Sequence, residues 1–324
     1  MVSGQLPKVL ILAGGGGHTS IALALAQSLE KKAELSFLIP VNDQLSRSLL
    51  EPYGVVDELI KGRYPNTPNY YFLFRFLYSF FSSMFKVKSS YQAVVSTGSN
   101  FCIPPSIIAF LKRIPVFNIE SRVALIKPSK TAKYLQYFSK KTLLQWEEQS
   151  ENLKGVFVGP IFPVKRFSSK NGGYILVTGG TEGFKELFDI IIKEDLEKVV
   201  MQTGKIDPEE YAKIRPDWTI FRYASDFERI LAESNLVITH QGGGTIFETL
   251  IYNKPIIITY NDNLPRTATR EDVKKLADII NAFFLEVLNK KTLSAAITLA
   301  RSPNEKTFPN GREKLSQILL SYLE

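Results

Sequence analysis

The chain of 324 residues has little cysteine and little histidine, and both shortages exclude chemistry. A single cysteine, Cys102, excludes an intramolecular disulfide framework and any zinc cluster built on several cysteines, and it favours the cytoplasm as the compartment. The two histidines, His18 and His240, are too far apart in the sequence to have the spacing of a zinc site. The sequence contains no Asp-x-Asp motif. We therefore expect neither a metal nor another cofactor.

Long apolar runs and runs of basic residues are also missing. Lys8 is followed by a short apolar stretch, residues 9–13, that leads into glycines, so we expect a first strand and not a signal peptide or an anchor. The aromatic stretch 70–85 is too short and too interrupted to cross a bilayer, which needs about 20 apolar residues. Because no run of basic residues is long enough for a nucleic-acid arm, we expect no nucleic-acid partner.

Three common site motifs are absent as well. Neither glycine run of the chain is followed by the Gly-Lys-Ser or Gly-Lys-Thr of a phosphate-binding P-loop. The dinucleotide fingerprint fails because its last glycine position falls on Thr19 or Ser20. Residues 96–99 come nearest to a nucleophile elbow but lack its Gly-x-Ser-x-Gly spacing.

The length and composition predict two ordinary globular domains. Cores usually divide beyond about 250 to 300 residues, and 44% apolar with 22% charged residues is normal for a folded soluble chain. The stretch 155–166, rich in glycine and proline, is the best linker. We expect domains at 1–160 and 161–310, with a final helix, 311–324, that packs on one of them, the first being a candidate.

The positive charge of the chain is concentrated in its first half. Residues 1–160 hold 18 Lys and Arg against 10 Asp and Glu, whereas the remainder holds 22 of each kind. A basic first domain beside a neutral second one indicates an anionic partner for the first. An anionic membrane and a substrate that carries a diphosphate both fit.

Two glycine runs, 13–19 and 239–245, each carry one of the histidines. Each run follows a β-branched apolar segment and precedes a helical pattern. A glycine-rich turn from strand to helix lets backbone N–H groups approach a phosphate closely, and the helix N-terminus favours negative charge. Alternating strands and helices in both halves predict two doubly wound parallel-sheet α/β domains facing one cleft. The predicted strands are 9–13, 35–40, 93–96, 116–119, 174–178, 198–202, 236–239 and 255–259.

Residues 70–85 form the most unusual stretch, because nine of the 16 are aromatic. On a helix, Arg75, Ser79, Ser82 and Lys86 form a narrow polar stripe beside a broad aromatic face. One interpretation is a helix buried between sheet and solvent. The other is a helix in a membrane interface, with Phe76, Phe80, Phe81 and Lys86 at the lipid and further basic residues, Lys88, Lys112 and Arg113, nearby.

Taken in order, the motifs resemble a known pair of proteins. Residues 14–19, Ser96-Thr97-Gly98, Cys102-Ile103-Pro104, 118–123 and Gln145-Trp146 resemble the membrane-associated subunit of the eukaryotic UDP-GlcNAc transferase that adds the second sugar to dolichol-diphosphate-GlcNAc. Residues 177–181 with Phe184, then 238–248 and Lys254-Pro255, resemble its catalytic subunit. The chain therefore looks like both subunits fused, as in archaeal relatives. It is more distantly similar to the bacterial transferase that completes the lipid-linked peptidoglycan precursor.

This resemblance implies a GT-B glycosyltransferase with two Rossmann-like domains. The second domain would bind UDP-GlcNAc, and the first would bind a polyprenyl- or dolichyl-diphosphate-linked GlcNAc in lipid-linked oligosaccharide (N-glycan) assembly. Transfer would invert the anomeric carbon without a metal. The protein would act as a peripheral protein on the cytoplasmic face of the membrane.

The site residues follow from the chemistry and the resemblance together. Histidine suits a general base near neutral pH, so we predict His18 as the base, with Glu120 orienting it, sharing the proton transfer or contacting the acceptor. A plain helix cap is the alternative role for Glu120. The residues predicted to bind the acceptor or its diphosphate are Gly16, Gly17, Thr19, Thr97, Gly98 and Arg122. The residues predicted to bind the donor are Gly180, Thr181, His240, Gly243, Gly244, Thr245 and Glu248, where His240 either contacts the donor or stabilises the loop.

One departure from the family leaves the donor sugar unassigned. Where relatives carry an Asn-His-Gln or Gln-Gln element, this chain has residues 261–266 and 270–272. Arg266 or Arg270 is the remaining candidate there for a contact to the diphosphate or the sugar. Two other functions stay open: a UDP-GlcNAc 2-epimerase, which shares donor and fold, and an inactive nucleotide-sugar-binding subunit.

Overall fold

The computed structural model describes residues 5–62, 69–264, 268–300 and 308–323. The chain folds into two compact units. Unit 1 comprises Met1–Val164 together with Phe308–Glu324, and unit 2 comprises Lys165–Thr307. The sequence placed the division after residue 160 and left the attachment of the last helix open, whereas in the structure this helix belongs to unit 1.

Unit 1 is a parallel sheet of seven strands, in the order β3-β2-β1-β4-β5-β6-β7. Its strands are β1 (Lys8–Leu12), β2 (Glu34–Pro40), β3 (Gly54–Leu59), β4 (Ala93–Ser96), β5 (Val116–Ile119), β6 (Lys141–Leu144) and β7 (Val156–Phe157). Its helices are α1 (Gly17–Leu29), α2 (Gln44–Leu50), α3 (Asn69–Lys86), α4 (Ile103–Leu111), α5 (Lys130–Leu135) and the C-terminal α12 (Gly311–Leu323). The order reverses between β1 and β4, which is where open α/β sheets bind ligands.

Alternate residues of the central strands in unit 1 supply two separate cores. Ile11 and Val95 face the side covered by α1 and α12, while Leu12 and Val94 face the side covered by α3 and α4. Strands buried on both faces read as continuous apolar runs, which is why the sequence predicts them well.

Unit 2 is a parallel sheet of six strands, in the order β10-β9-β8-β11-β12-β13. Its strands are β8 (Ile175–Thr178), β9 (Val199–Gln202), β10 (Thr219–Phe221), β11 (Leu236–His240), β12 (Ile256–Thr259) and β13 (Phe283–Leu285). Its helices are α6 (Lys185–Ile191), α7 (Glu209–Ala212), α8 (Phe227–Glu233), α9 (Gly243–Tyr252), α10 (Arg270–Ile280) and α11 (Lys290–Leu299). The prediction of two doubly wound parallel-sheet domains is confirmed.

Candidate active site

The first glycine run turns the chain from β1 into α1, with His18 as the second residue of the helix. Gly15 and Gly16 have φ angles of 83° and 57°, a left-handed conformation that side chains rarely adopt. A Cβ atom at Gly14 would lie 2.6 Å from the Ser99 Oγ atom, so the turn also needs the close approach that glycine allows. The glycines thus place His18 at the carboxyl edge of the sheet.

A backbone carbonyl orients the His18 imidazole. Its Nδ1 lies 2.6 Å from the Thr97 carbonyl oxygen, which can only accept. Nδ1 must therefore donate, which leaves the lone pair of the neutral ring on Nε2. Gly98, at φ 93°, makes room for the ring, because a Cβ atom there would lie 3.1 Å from the His18 Cε1 atom. This arrangement holds one ring nitrogen and leaves the other basic.

The surroundings of His18 lower its pKa to about 4. Burial is the largest cause, the hydrogen bond to Thr97 opposes it, and the positive charges of Lys61 and Arg122 add to it. The imidazole is consequently neutral at neutral pH, which is the form that can accept a proton.

Arg122 is buried beside His18 and binds backbone carbonyls. Its Nη2 donates to the Gly17 carbonyl at 2.8 Å, and its Nη1 donates to the Ile161 carbonyl at 3.4 Å. The Trp146 indole donates to the Arg122 carbonyl at 2.8 Å, which fixes the loop that follows β5. Arg122 therefore ties this loop to the first turn of α1, next to the predicted base.

Glu120 follows β5 and is fully buried. Its carboxylate accepts from the backbone N–H groups of Ser121 at 2.5 Å and Ser129 at 3.0 Å. Ser129 is the N-cap residue of α5. These contacts give Glu120 a role in shaping loop 121–129, close to the capping alternative considered for it. Its part in catalysis stays a prediction.

Two threonines predicted at the acceptor point into the body of unit 1. The Thr19 hydroxyl is 2.5 Å from the Ser46 Oγ atom, and the Thr97 hydroxyl donates to the Leu12 carbonyl at 2.7 Å. Both side chains are buried, and the part of Thr19 and Thr97 in acceptor binding stays a prediction. Gly16 and Gly17 remain accessible at the start of α1.

Sequence reasoning missed Lys61, which stands at the same edge after β3. Its Nζ donates to the Gly14 carbonyl at 2.8 Å, and burial lowers its pKa. The sequence gives little indication of Lys61, because β3 lies at the edge of the sheet and alternates between exposed and half-buried residues. It therefore lacks the continuous apolar run of a buried strand.

In unit 2, the second glycine run turns β11 into α9, and His240 is the last residue of the strand. Its imidazole is packed under two glycine turns, since a Cβ atom at Gly180 or at Gly242 would lie 3.1 Å from its Nε2 atom. The Phe184 ring meets it edge-on at 6.2 Å. His240 thereby supports both turns, the loop-stabilising role considered for it.

The Nδ1 atom of His240 is buried without a hydrogen bond to the described residues. The side chain is 5% exposed. Burial is the largest cause that lowers the pKa of His240. A direct contact to the donor stays a prediction.

The remaining predicted donor residues lie on the first turns of α9 and on the turn after β8. Gly243, Gly244 and Thr245 form the N-terminal turn of α9, and a Cβ atom at Gly244 would meet open space. Glu248 is half-buried one turn further along. Thr181 is exposed, and its carbonyl accepts from the Tyr223 hydroxyl at 3.1 Å.

The segment that departs from the family is organised by its own contacts. Gln241 and Asn261 form a reciprocal pair, each bond 2.8 Å long. Arg270 pairs with Asp262 at 3.1 Å and lies over the Tyr260 ring at 4.7 Å. Arg266 lies outside the described residues.

The aromatic helix α3 turns two serines inward and leaves nine of its large side chains exposed. Ser79 and Ser83 are buried, and Arg75 donates to the Lys61 carbonyl at 3.1 Å. The outer residues, 46 to 84% exposed, are Tyr70, Tyr71, Leu73, Phe74, Leu77, Tyr78, Phe81, Met84 and Phe85. We call these residues the aromatic face. An apolar patch of this size on a soluble protein marks an interaction surface.

The four predicted membrane residues occupy different positions on α3. Phe81 belongs to the aromatic face, Phe76 is half-buried, and Phe80 packs against the core. The Lys86 Nζ pairs with Asp57 at 2.7 Å. Lys112, expected near the lipid, instead donates to two carbonyls at the end of α3.

Two features are absent from the residues that the structure describes. No helix there combines the length and the apolar character needed to cross a membrane. No group of three or more His, Cys, Asp or Glu there could hold a metal ion.

Comparisons with known proteins agree with this architecture. The chain is 25% identical to a UDP-N-acetylglucosamine–N-acetylmuramyl-(pentapeptide) pyrophosphoryl-undecaprenol N-acetylglucosamine transferase from Sulfurihydrogenibium, over 98% of this chain and 94% of the relative. It is 23% identical to the Clostridium tetani transferase of the same name, over 98% of this chain and 99% of the relative.

Solved structures share the fold over nearly the whole chain. Acinetobacter baumannii MurG matches with a TM-score of 0.68 and 19% identity, over 97% of this chain and all of that one. UDP-GlcNAc 2-epimerase from Neisseria meningitidis, bound to UDP-GlcNAc, matches with a TM-score of 0.64 and 14% identity, over 98% and 99%. These neighbours establish the GT-B architecture.

Two family models match consecutive parts of the chain. The glycosyltransferase family 28 N-terminal domain matches residues 9–144, and the family 28 C-terminal domain matches residues 174–320. The two models together account for most of the chain, in the order in which the family carries them. The chain therefore belongs to glycosyltransferase family 28.

Proposed function

We propose that this protein transfers GlcNAc from UDP-GlcNAc to a sugar carried on a polyprenyl diphosphate. The observation that carries the proposal is the His18 site of unit 1. A neutral imidazole, held through Nδ1, presents its basic Nε2 beside a glycine turn at a helix N-terminus. The curated relatives, whose names specify a UDP-GlcNAc donor and a lipid-linked acceptor, support the same reaction.

In the proposed reaction His18 acts as the general base. The acceptor hydroxyl oxygen attacks C1 of GlcNAc, its proton passes to the His18 Nε2, and the bond between C1 and the diphosphate oxygen breaks. UDP leaves with the bonding electrons, and the configuration at C1 is inverted. General-base catalysis by a positioned side chain contributes about 10² to 10⁴ in rate. Thr97 stabilises the imidazolium through the Nδ1 hydrogen bond.

The donor half of the reaction is assigned to unit 2. The N-terminal turn of α9, with Gly243, Gly244 and Thr245, would bind the departing diphosphate through backbone N–H groups and the helix dipole. Glu248 would accept hydrogen bonds from the ribose hydroxyls. No metal is needed in this scheme, because the helix terminus supplies the stabilisation of charge.

Two acceptor sugars are candidates for this reaction. The resemblance to the fused dolichol-pathway transferase supports GlcNAc on a polyprenyl or dolichyl diphosphate. The names of the curated relatives support a muramyl-pentapeptide acceptor instead. Both acceptors have the diphosphate and the lipid in common.

We further propose that unit 1 binds the cytoplasmic face of the membrane through the aromatic face of α3. Nine exposed side chains with apolar character lie on one side of this helix, and the first half of the chain carries the whole excess of positive charge. Aromatic residues at the headgroup level and basic residues near anionic lipid are the features of an interfacial helix.

The experiment supplies purified protein with radiolabelled UDP-GlcNAc and two short-chain lipid diphosphates, one bearing GlcNAc and one bearing muramyl pentapeptide. Formation of a disaccharide lipid on the first acceptor, lost in His18→Ala, supports the proposal in full. Product on the second acceptor alone would keep the transferase and replace the acceptor. Conversion of the donor to its C2 epimer, or binding of the donor without turnover, would replace the function with an epimerase or an inactive subunit.

A further inference from the structure

Lys61 holds the glycine turn of His18 from one side. It stands two residues after β3, and its Nζ donates to the Gly14 carbonyl at 2.8 Å. Gly14 opens the turn, and the next two glycines have left-handed backbones. Because glycine adds no side-chain contacts, the path of this turn depends on bonds made by its neighbours.

Helix α3 holds the same segment from the other side. The Arg75 Nε donates to the Lys61 carbonyl at 3.1 Å. Gly62 packs against the inner face of α3, since its Cβ position lies 3.6 Å from the Phe72 and Phe76 rings. Residues 61 and 62 therefore lie between the helix that carries the aromatic face and the turn that carries His18.

We propose that Lys61 is a positioning residue for His18, joining the inner face of α3 to the glycine turn so that both move as one assembly. The inference rests on the proposed function, in which His18 is the base. A base attached in this way is oriented by the same helix that meets the lipid surface. The position of the base matters, because displacing a catalytic group by about 1 Å can lower the rate roughly 100-fold.

The charges around His18 make the link measurable. Lys61, after β3, and Arg122, after β5, both lower the pKa of His18, although burial is the larger cause. Cys102, just before α4, and Asp43, which caps α2, both raise the pKa of Lys61 against the effect of burial. Glu120 accepts from the backbone of loop 121–129. Removing the Lys61 charge should raise the pKa of His18, whereas loss of a merely structural bond elsewhere would not.

The test follows His18 directly by NMR with ¹⁵N-labelled imidazole. Since the chain has two histidines, a His240→Gln background leaves one signal to titrate. Lys61→Met should raise the His18 midpoint by about half a unit to one unit and lower kcat/KM about tenfold. Lys61→Arg should restore most of both. The control is Lys32→Met, an exposed lysine beyond the opposite end of α1.

A second pair of variants separates the two connections of Lys61. Lys61→Gln keeps a donor for Gly14 without the charge, so the midpoint should still rise while more of kcat is retained. Arg75→Ala should lower kcat several-fold at unchanged binding to anionic vesicles, because the bond from α3 is lost. An unchanged kcat in Arg75→Ala would overturn the connection to α3.

The proposal fails if Lys61→Met leaves the midpoint of His18 where it is in the wild type, or if Lys32→Met moves it equally. The NMR readout needs no substrate. Absence of sugar transfer would therefore overturn the proposed function while the titration still decided the position of Lys61.

Discussion

The two glycine turns of this protein look alike in sequence, but they place their histidines differently in the structure. In the first, the histidine follows the glycines and becomes the second residue of α1. In the second, the histidine precedes the glycines and ends β11. His18 is consequently oriented at the start of a helix, and His240 is enclosed beneath the turns that it supports.

The surroundings differ in the same way. His18 is bonded to the Thr97 carbonyl and lies near two cations, Lys61 and Arg122. His240 is surrounded by the glycines Gly180 and Gly242 and by an aromatic ring. The comparison teaches that a histidine after the glycines stays half-buried at the start of a helix, whereas a histidine before them is enclosed by the turns.

The largest expected difference is between His18→Gln and His240→Gln. We expect His18→Gln to lower kcat by about 10³ with little change in the KM of the donor, because the base is lost. We expect His240→Gln to lower kcat only a few-fold and to raise the KM of UDP-GlcNAc, because the donor turns lose their support. Steady-state kinetics of both variants would measure this split. A large kcat loss in His240→Gln with an unchanged KM would remove the distinction.

The order of glycine and histidine was available in the sequence, but its consequence was not. Buried strands were predictable because they are continuous apolar runs, as for β1 and β11. The edge strand β3 was not, since it alternates between exposed and half-buried residues, and Lys61 was missed with it. The direction of the threonine side chains also escaped prediction, because Thr19 and Thr97 bond to residues distant in sequence, Ser46 and Leu12.

The sequence pattern of the aromatic helix α3 did not predict which of its faces is buried. The polar stripe of α3 was visible from spacing, and the usual expectation places the polar side toward water. In the structure the serines are inside, where Ser83 donates to the Ser79 carbonyl at 2.7 Å. A helical pattern identifies two faces, but only the packing partners decide which face is covered.

A glycine-to-alanine substitution beside each histidine, on a neighbouring turn, should give the second-largest effect. Gly98→Ala and Gly180→Ala both impose a side chain at positive φ, and both place the new Cβ 3.1 Å from an imidazole. Each should cost about 1 to 3 kcal/mol of stability. We expect Gly98→Ala to lower kcat about tenfold through His18 and Gly180→Ala to raise the donor KM instead. Thermal melts with the same kinetics would test this, and identical kinetic effects in both variants would contradict it.

The aromatic face offers a smaller but separable effect confined to unit 1. Changing Phe74, Phe81 and Phe85 to Ser should weaken binding to anionic vesicles about tenfold or more, since three exposed aromatic rings no longer enter the interface. Activity on a water-soluble acceptor should be retained. The matched control changes three exposed residues of unit 2, Ile214, Val287 and Leu299, to Ser. Flotation assays at low and high salt would measure binding, and equal losses in the control would remove the assignment to α3.

The last expected effect is on stability and not on turnover: a pH dependence of the melting temperature that belongs to His18. Its pKa in the folded protein is about 4, below the value of about 6.5 in an unfolded chain. Between these values the unfolded state binds more protons, so the contribution is fully present above pH 6.5 and is lost as the pH falls toward 4. His18→Gln should therefore flatten the fall of the melting temperature between pH 6.5 and about 4. His240→Gln should change the same curve in the same direction, since burial also lowers its pKa. Lys61→Met, in contrast, should flatten it only if the cation acts on His18. A melting curve of Lys61→Met that parallels the wild type across this range would show that the charge of Lys61 does not act on His18.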